Sequence, residues 1–141
     1  MKSAALAQVS EVPQLPALET EGLARDIAAI AFNAKAMDIE VLRVLELVEY
    51  TDWFVVCSAR SDRHARAIYD MIWDELALEG QKPLSSEGVE AGQWILADYG
   101  SVVVHIFYEP VREFYALERL WADAPRLTDL KGQDAAAPSP V

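Results

Sequence analysis

The chain has one cysteine, Cys57, in 141 residues. That excludes an internal disulfide and any metal site built on clustered thiolates, and it fits a reducing compartment. Histidine is almost as scarce. His64 and His105 stand 41 positions apart, and neither has a partner at a ligating spacing such as H-x-x-x-H, so a metal site has no support. No apolar run approaches the ~20 residues that a membrane-crossing helix requires. The opening residues, MKSAALAQVSEVPQLPALETEG, lack the basic start and long apolar core of a secretory signal. They hold three glutamates and no arginine, which argues against an organelle transit peptide. A cytoplasmic protein is expected. The glycine-rich phosphate cradles GxxxxGK-Ser/Thr and GxGxxG are also missing.

Basic residues are few. Twelve Lys and Arg face 23 Asp and Glu, a formal net charge of −11. Such a surface repels phosphate backbones and argues against direct, sequence-specific nucleic-acid binding. It suits a basic protein partner, because opposite charge steers encounter. What the chain does have is apolar substance: 52% of its residues, enough for one domain with a real core.

Residues 1–19 read as a flexible arm, with small residues, Pro13 and Pro16 and no sustained period. Residues 128–141, ending in GQDAAAPSPV, read as a disordered tail. The folded domain is expected over 20–127. Thr20 is a candidate N-cap. Leu23, Ile27, Ile30, Ala31 and Ala34 recur at helical spacing and predict a helix over 22–36. IEVLRVLEL, 39–47, predicts a strand, residues 49–52 a turn, and WFVVCSA, 53–59, a strand buried on both faces. Ser61 caps a second helix with Ala65, Ile68, Tyr69, Ile72, Trp73 and Leu76 on its apolar stripe, and Gly80 stops it. The polar run QKPLSSEGVEAGQ reads as a loop. Two strands follow, ended by Pro110, and then a helix over 112–122 with Phe114, Leu117 and Trp121 on one face, closed by Pro125. The order α-β-β-α-β-β-α implies an α/β or α+β fold around a mixed sheet.

The stretch WILADYGSVVVHIFY, 94–108, holds the clearest pattern. Gly100-Ser101 suits a two-residue type II′ turn. That register pairs Tyr99 with Val102, Asp98 with Val103, Ala97 with Val104, Leu96 with His105, Ile95 with Ile106 and Trp94 with Phe107, whereas a loop at Tyr99-Gly100 changes the pairs but not the faces. One face is then wholly apolar: Ile95, Ala97, Val102, Val104 and Ile106. The other, with Trp94, Leu96, Asp98, Val103, His105 and Phe107, is mixed. A buried carboxylate or imidazole left unpaired costs about 1–3 kcal/mol. The mixed face is therefore either a protein-binding patch with aromatic anchors, or a surface that the last helix covers, with His105 hydrogen-bonded inside.

The residues offer no catalytic equipment. Cys57 lies mid-strand in an apolar run, where thiols are inert, so a Cys57–His105 dyad is disfavoured. Asp98 stands alone on its face, with no second carboxylate to share a magnesium ion.

Taken together, Ala36-Met37-Asp38-Ile39, TDWFVVCSARSDRHARAI (51–68), Ser86-Glu87-Gly88, WILADYGSVVVHIF (94–107) and REFYALERLW (112–121) resemble the ribosomal silencing factors, also called the Iojap family, over about residues 24–124. Trp53 and Ser101 depart from the residues common there. The resemblance implies a mixed sheet of about five strands packed with helices, an architecture like that of nucleotidyltransferases without their catalytic residues. It implies no enzyme and no cofactor. The expected partner is the large ribosomal subunit, bound through its fourteenth protein, so that joining of the small subunit is blocked and translation falls under starvation. On the matching positions, Trp94 is the expected anchor, Asp98 the partner of a Lys or Arg, and His105 an orienting group or donor. Leu96 and Phe107 share their face, and Glu87 adds a rim acid. Gly88 is expected to serve backbone geometry, and Arg112, Tyr115 and Glu118 to be mainly structural. The rivals are a small nucleotidyl- or phosphotransferase of the same fold, and a homodimerisation module.

Overall fold

A computed structural model of the chain describes residues 19–115, 122 and 124–127, and the side chains of these except Phe114 and Tyr115. The expected tail, and the arm except Glu19, lie outside these residues, as do Leu117, Glu118 and Trp121.

Helix α1, Glu21–Asn33, opens the described chain. Thr20 sits at its start but makes no side-chain cap, contrary to expectation. Its hydroxyl accepts from the Trp53 indole N–H and donates to Asp52, both at 2.9 Å. The hydroxyl thus holds α1 to the sheet rather than closing its own helix. Strand β1, Met37–Arg43, ends four residues before the expected 47. The chain turns at once: the Leu47 and Val48 N–H groups return to the Val44 carbonyl. Strand β2, Trp53–Ala59, is buried at every position, as a continuous apolar run requires of a central strand. Ser61 then accepts from the His64 backbone N–H and caps α2, Asp62–Ala77. The Gly80 and Gln81 N–H groups close that helix onto Ala77 and Leu76.

The polar run after α2 is not all loop. Ser85–Glu87 form a short strand, β3. Strands β4, Trp94–Asp98, and β5, Val102–Tyr108, make the hairpin in the register expected from the turn, and Gly100 supplies its positive φ of 90°. Helix α3 starts earlier than expected, at Glu109, with Pro110 in its first turn, where the missing N–H costs nothing.

The five strands order as β1-β2-β5-β4-β3. Only β2 and β5 run parallel, and α2 lies in the connection between them. Helices α1 and α2 cover one face. There Ile27, Ala31, Ile68, Ile72 and Leu76 meet Val55, Cys57, Ile95, Ala97, Val104 and Ile106 in the main core. The expected apolar face of the hairpin is this one. Each such aliphatic side chain contributes about 1.5–3 kcal/mol on burial. The opposite face carries a second cluster, Leu42, Val44, Phe54, Val56, Val103, Phe107 and Ala124, with Val48 and Val111 packed against it. Residues 125–127 run beside β1, where Arg43 N–H donates to the Pro125 carbonyl and Leu127 N–H to that of Val41.

Arg112 locks this second face. It is buried, and it donates to the Asp38 carbonyl at 2.7 Å and to Ser58 Oγ at 2.9 Å. Asp38 has φ +50° at an irregularity in the β1–β2 register, so the guanidinium holds a strained bulge in place. Glu40 stands 3.9 Å from the same guanidinium and accepts from Arg126 Nε at 2.7 Å. The structural role expected for Arg112 is thereby given its contacts. Replacing Arg112 by Met should lower stability by about 3 kcal/mol, because a buried carbonyl and hydroxyl lose their donor. Urea unfolding of both proteins measures this, and an unchanged midpoint would contradict it.

Candidate functional site

Across the second face, paired strands align side chains in rows. Glu87, Leu96, His105, Val56 and Glu40 form one row, and Ser85, Asp98, Val103, Phe54 and Leu42 the next. Strand β5 is central and α3 packs against it, so its residues lie deep. Strand β4 is nearer the sheet edge, and its residues on this face stay half exposed.

That difference in depth divides the expected patch. Trp94, Leu96 and Asp98 are half-buried, and Glu87 is exposed on β3. His105 and Phe107, expected on the partner surface, are 4% and 0% exposed. They lie beneath the exposed part of that face in the free chain. The side-chain period of two sets the face, not the depth, and the covered-face alternative is right for β5.

The buried pair has another task. The Phe107 ring stacks on Trp94 with centroids 4.8 Å apart, and Phe54 meets His105 edge-on at 4.7 Å. Trp94 Nε1–H donates to His105 Nδ1 at 3.2 Å. Nδ1 must then be the unprotonated nitrogen, and the proton sits on Nε2, which is buried with no partner among the described residues. Burial pushes the His105 pKa down to about 4, so the ring is neutral at physiological pH. His105 therefore orients Trp94 by accepting from it, from inside the sheet.

Gly88 holds Trp94 from the other side. Its φ is +77°, and a Cβ there would overlap the Trp94 carbonyl oxygen. The glycine allows β3 and β4 to come together, which agrees with the backbone role expected of it. Asp98 shapes the tip: its Oδ1 accepts from the Gly100 N–H at 2.7 Å.

Three residues were not visible as part of this face in the sequence. Tyr50 is 64% exposed, and its ring lies 6.2 Å from that of Phe54. Burial first and the Asp98 charge second raise the Tyr50 hydroxyl pKa. Leu45 and Leu47, 41% and 49% exposed, stand on the turn whose Val44 and Val48 join the second cluster. The signal was there in three large apolar side chains around an acidic turn, but the strand expected to 47 absorbed two of them.

The remaining chemical candidates are elsewhere. Cys57 faces the helices, opposite His105, so the two cannot form a dyad. Burial pushes its thiol up to about 12, against a smaller opposing effect of Arg112. His64 donates from Nε2 to the Ala34 carbonyl and accepts at Nδ1 from the Arg60 N–H, a link between α1 and α2.

Two measurements check this construction. The unfolded chain takes up the His105 proton near pH 6.5 and the folded chain only near 4. The contribution of the neutral ring is full above pH 6.5 and is lost as pH falls toward 4, by on the order of 3 kcal/mol. Stability against pH for the wild type and His105→Leu should diverge over that window by this amount, and parallel curves would refute the buried neutral ring. Gly88→Ala should cost about 2–3 kcal/mol in the same unfolding assay, from the strained φ and the overlap with Trp94.

The comparisons with known proteins agree with one another. Residues 17–140 match the family model described as "Ribosomal silencing factor during starvation". The ribosomal silencing factor RsfS of Bacillus subtilis (strain 168) is 38% identical over 103 residues, which is 73% of this chain and 86% of that protein. The Mus musculus protein named "Mitochondrial assembly of ribosomal large subunit protein 1" is 36% identical over 98 residues, 67% of this chain and 43% of its own length. A crystal structure of a protein from Chromobacterium violaceum superposes with a TM-score of 0.71 at 30% identity, over 74% of this chain and 88% of that one. With nearly its whole length matched by one family model and its fold shared with a solved relative, the chain belongs to the family of ribosomal silencing factors.

Proposed function

We propose that this protein silences ribosomes in the cytoplasm by docking the β4 side of its second sheet face on the fourteenth protein of the large subunit. The bulk of the domain then occupies space that the small subunit needs, and translation falls during starvation. The observation that carries the reading is Trp94. It is a half-buried indole held by the Phe107 ring and the His105 acceptor, on the same strand face as Asp98. A preorganised aromatic anchor beside an acid is what a protein-binding hot spot requires. Family membership supports the ribosome as target, and the name of the mouse relative supports the large subunit. The net charge of −11 favours a basic partner surface. The mechanism is steric and uses no cofactor and no turnover.

Cosedimentation with purified large subunits tests the proposal. Trp94→Ala should weaken binding by about 2 kcal/mol or more, as loss of a central anchor does. Asp98→Lys should weaken it further by reversing the charge match. Full binding by a folded Trp94→Ala protein would overturn the assignment. Sedimentation without subunits reads whether the free face pairs with a second copy.

A further inference from the structure

The docking reading leaves Tyr50 unused, although it is the most exposed aromatic side chain on this face. It lies in the turn between β1 and β2 and rests on Phe54, which is itself fully buried. The ring is tilted against Phe54, with centroids 6.2 Å apart, and is 64% exposed. Phe54, Val103 and Asp98 occupy one row across β2, β5 and β4, so Tyr50 and Asp98 stand at the two ends of a short apolar step. Asp98 uses Oδ1 on the Gly100 N–H. It has no cationic partner among the described residues, although it is half-buried beside Val103. A carboxylate partly withdrawn from water gains most when a cation joins it.

We propose that Tyr50 and Asp98 form one seat for a basic side chain of the docked partner, with the cation across the Tyr50 ring and its N–H groups on the Asp98 carboxylate. An arginine suits it best. The planar guanidinium stacks on an aromatic face while its edge donates to a carboxylate, which a compact ammonium cannot do at once. The inference rests on the docking reading and deepens it. Trp94 supplies the apolar anchor, and the Tyr50–Asp98 pair reads charge and shape beside it.

A double-mutant cycle on binding to purified bacterial large subunits, at one fixed ionic strength, tests the pair. Tyr50→Ala is expected to weaken binding ~5-fold, a typical cation–π loss at a partly desolvated site. Asp98→Asn, which keeps the acceptor for Gly100, is expected to weaken it ~10-fold and to flatten the salt dependence. Tyr50→Phe keeps the ring and should bind within about twofold of wild type. The double variant Tyr50→Ala/Asp98→Asn should lose at least ~3-fold less than the product of the single losses, because both act on one cation. Losses that simply multiply, or a neutral Tyr50→Ala, overturn the seat while wild-type binding and its Trp94 dependence leave the docking reading standing. A wild-type protein that fails to bind the subunits overturns the docking reading and the seat together.

Discussion

Strands β2 and β5 lie side by side and run parallel, and most of the molecule follows from that pairing. Two parallel neighbours cannot be joined by a tight turn, so the chain must leave the sheet and cross back. Helix α2 makes the crossing over one face and takes α1 with it. Every strand must then turn its apolar alternates toward that side. The opposite face is left to short elements: α3, the turn at 44–48 and residues 124–127. These cover the centre of the sheet at β2 and β5. They leave β4 half open, and that partial cover makes a surface available.

The open part is built from the covered part. Trp94 does not simply protrude from a strand. Its ring lies on Phe107, its N–H ends on His105, and its backbone carbonyl is approached by Gly88. The cost is a buried imidazole with one nitrogen unpartnered among the described residues. Here the imidazole accepts from the Trp94 indole and fixes its orientation. That lowers the entropy lost on docking.

Electrostatics act at a different range. The excess of acids over bases spreads over the whole surface and bears on encounter. Asp98 acts at contact, where it is half-buried and bounded by apolar neighbours. On the docking reading proposed above, the two ranges would divide the work: long-range attraction favours encounter with a basic surface, and a rigid aromatic and acidic face favours one orientation there.

The hairpin shows how far the residues alone reach. The alternation along 94–107 determined both faces, because a period of two leaves no freedom there, while two loop positions were open and the assembled hairpin decided the register. The continuous apolarity of 53–59 likewise determined a central strand. Local pattern was weaker where polar residues form an edge, so β3 read as loop. At Thr20 it was misleading, because a distant indole took the hydroxyl expected to cap α1. Depth was the quantity that no local pattern carried. Leu96 and His105 are directly paired and share a face, yet one is half exposed and the other buried. Which strand is central depends on pairing between segments some fifty residues apart. Only the assembled sheet, with α3 packed against β5, decided that His105 and Phe107 are buried while Trp94 and Asp98 stay half-buried and Tyr50 exposed.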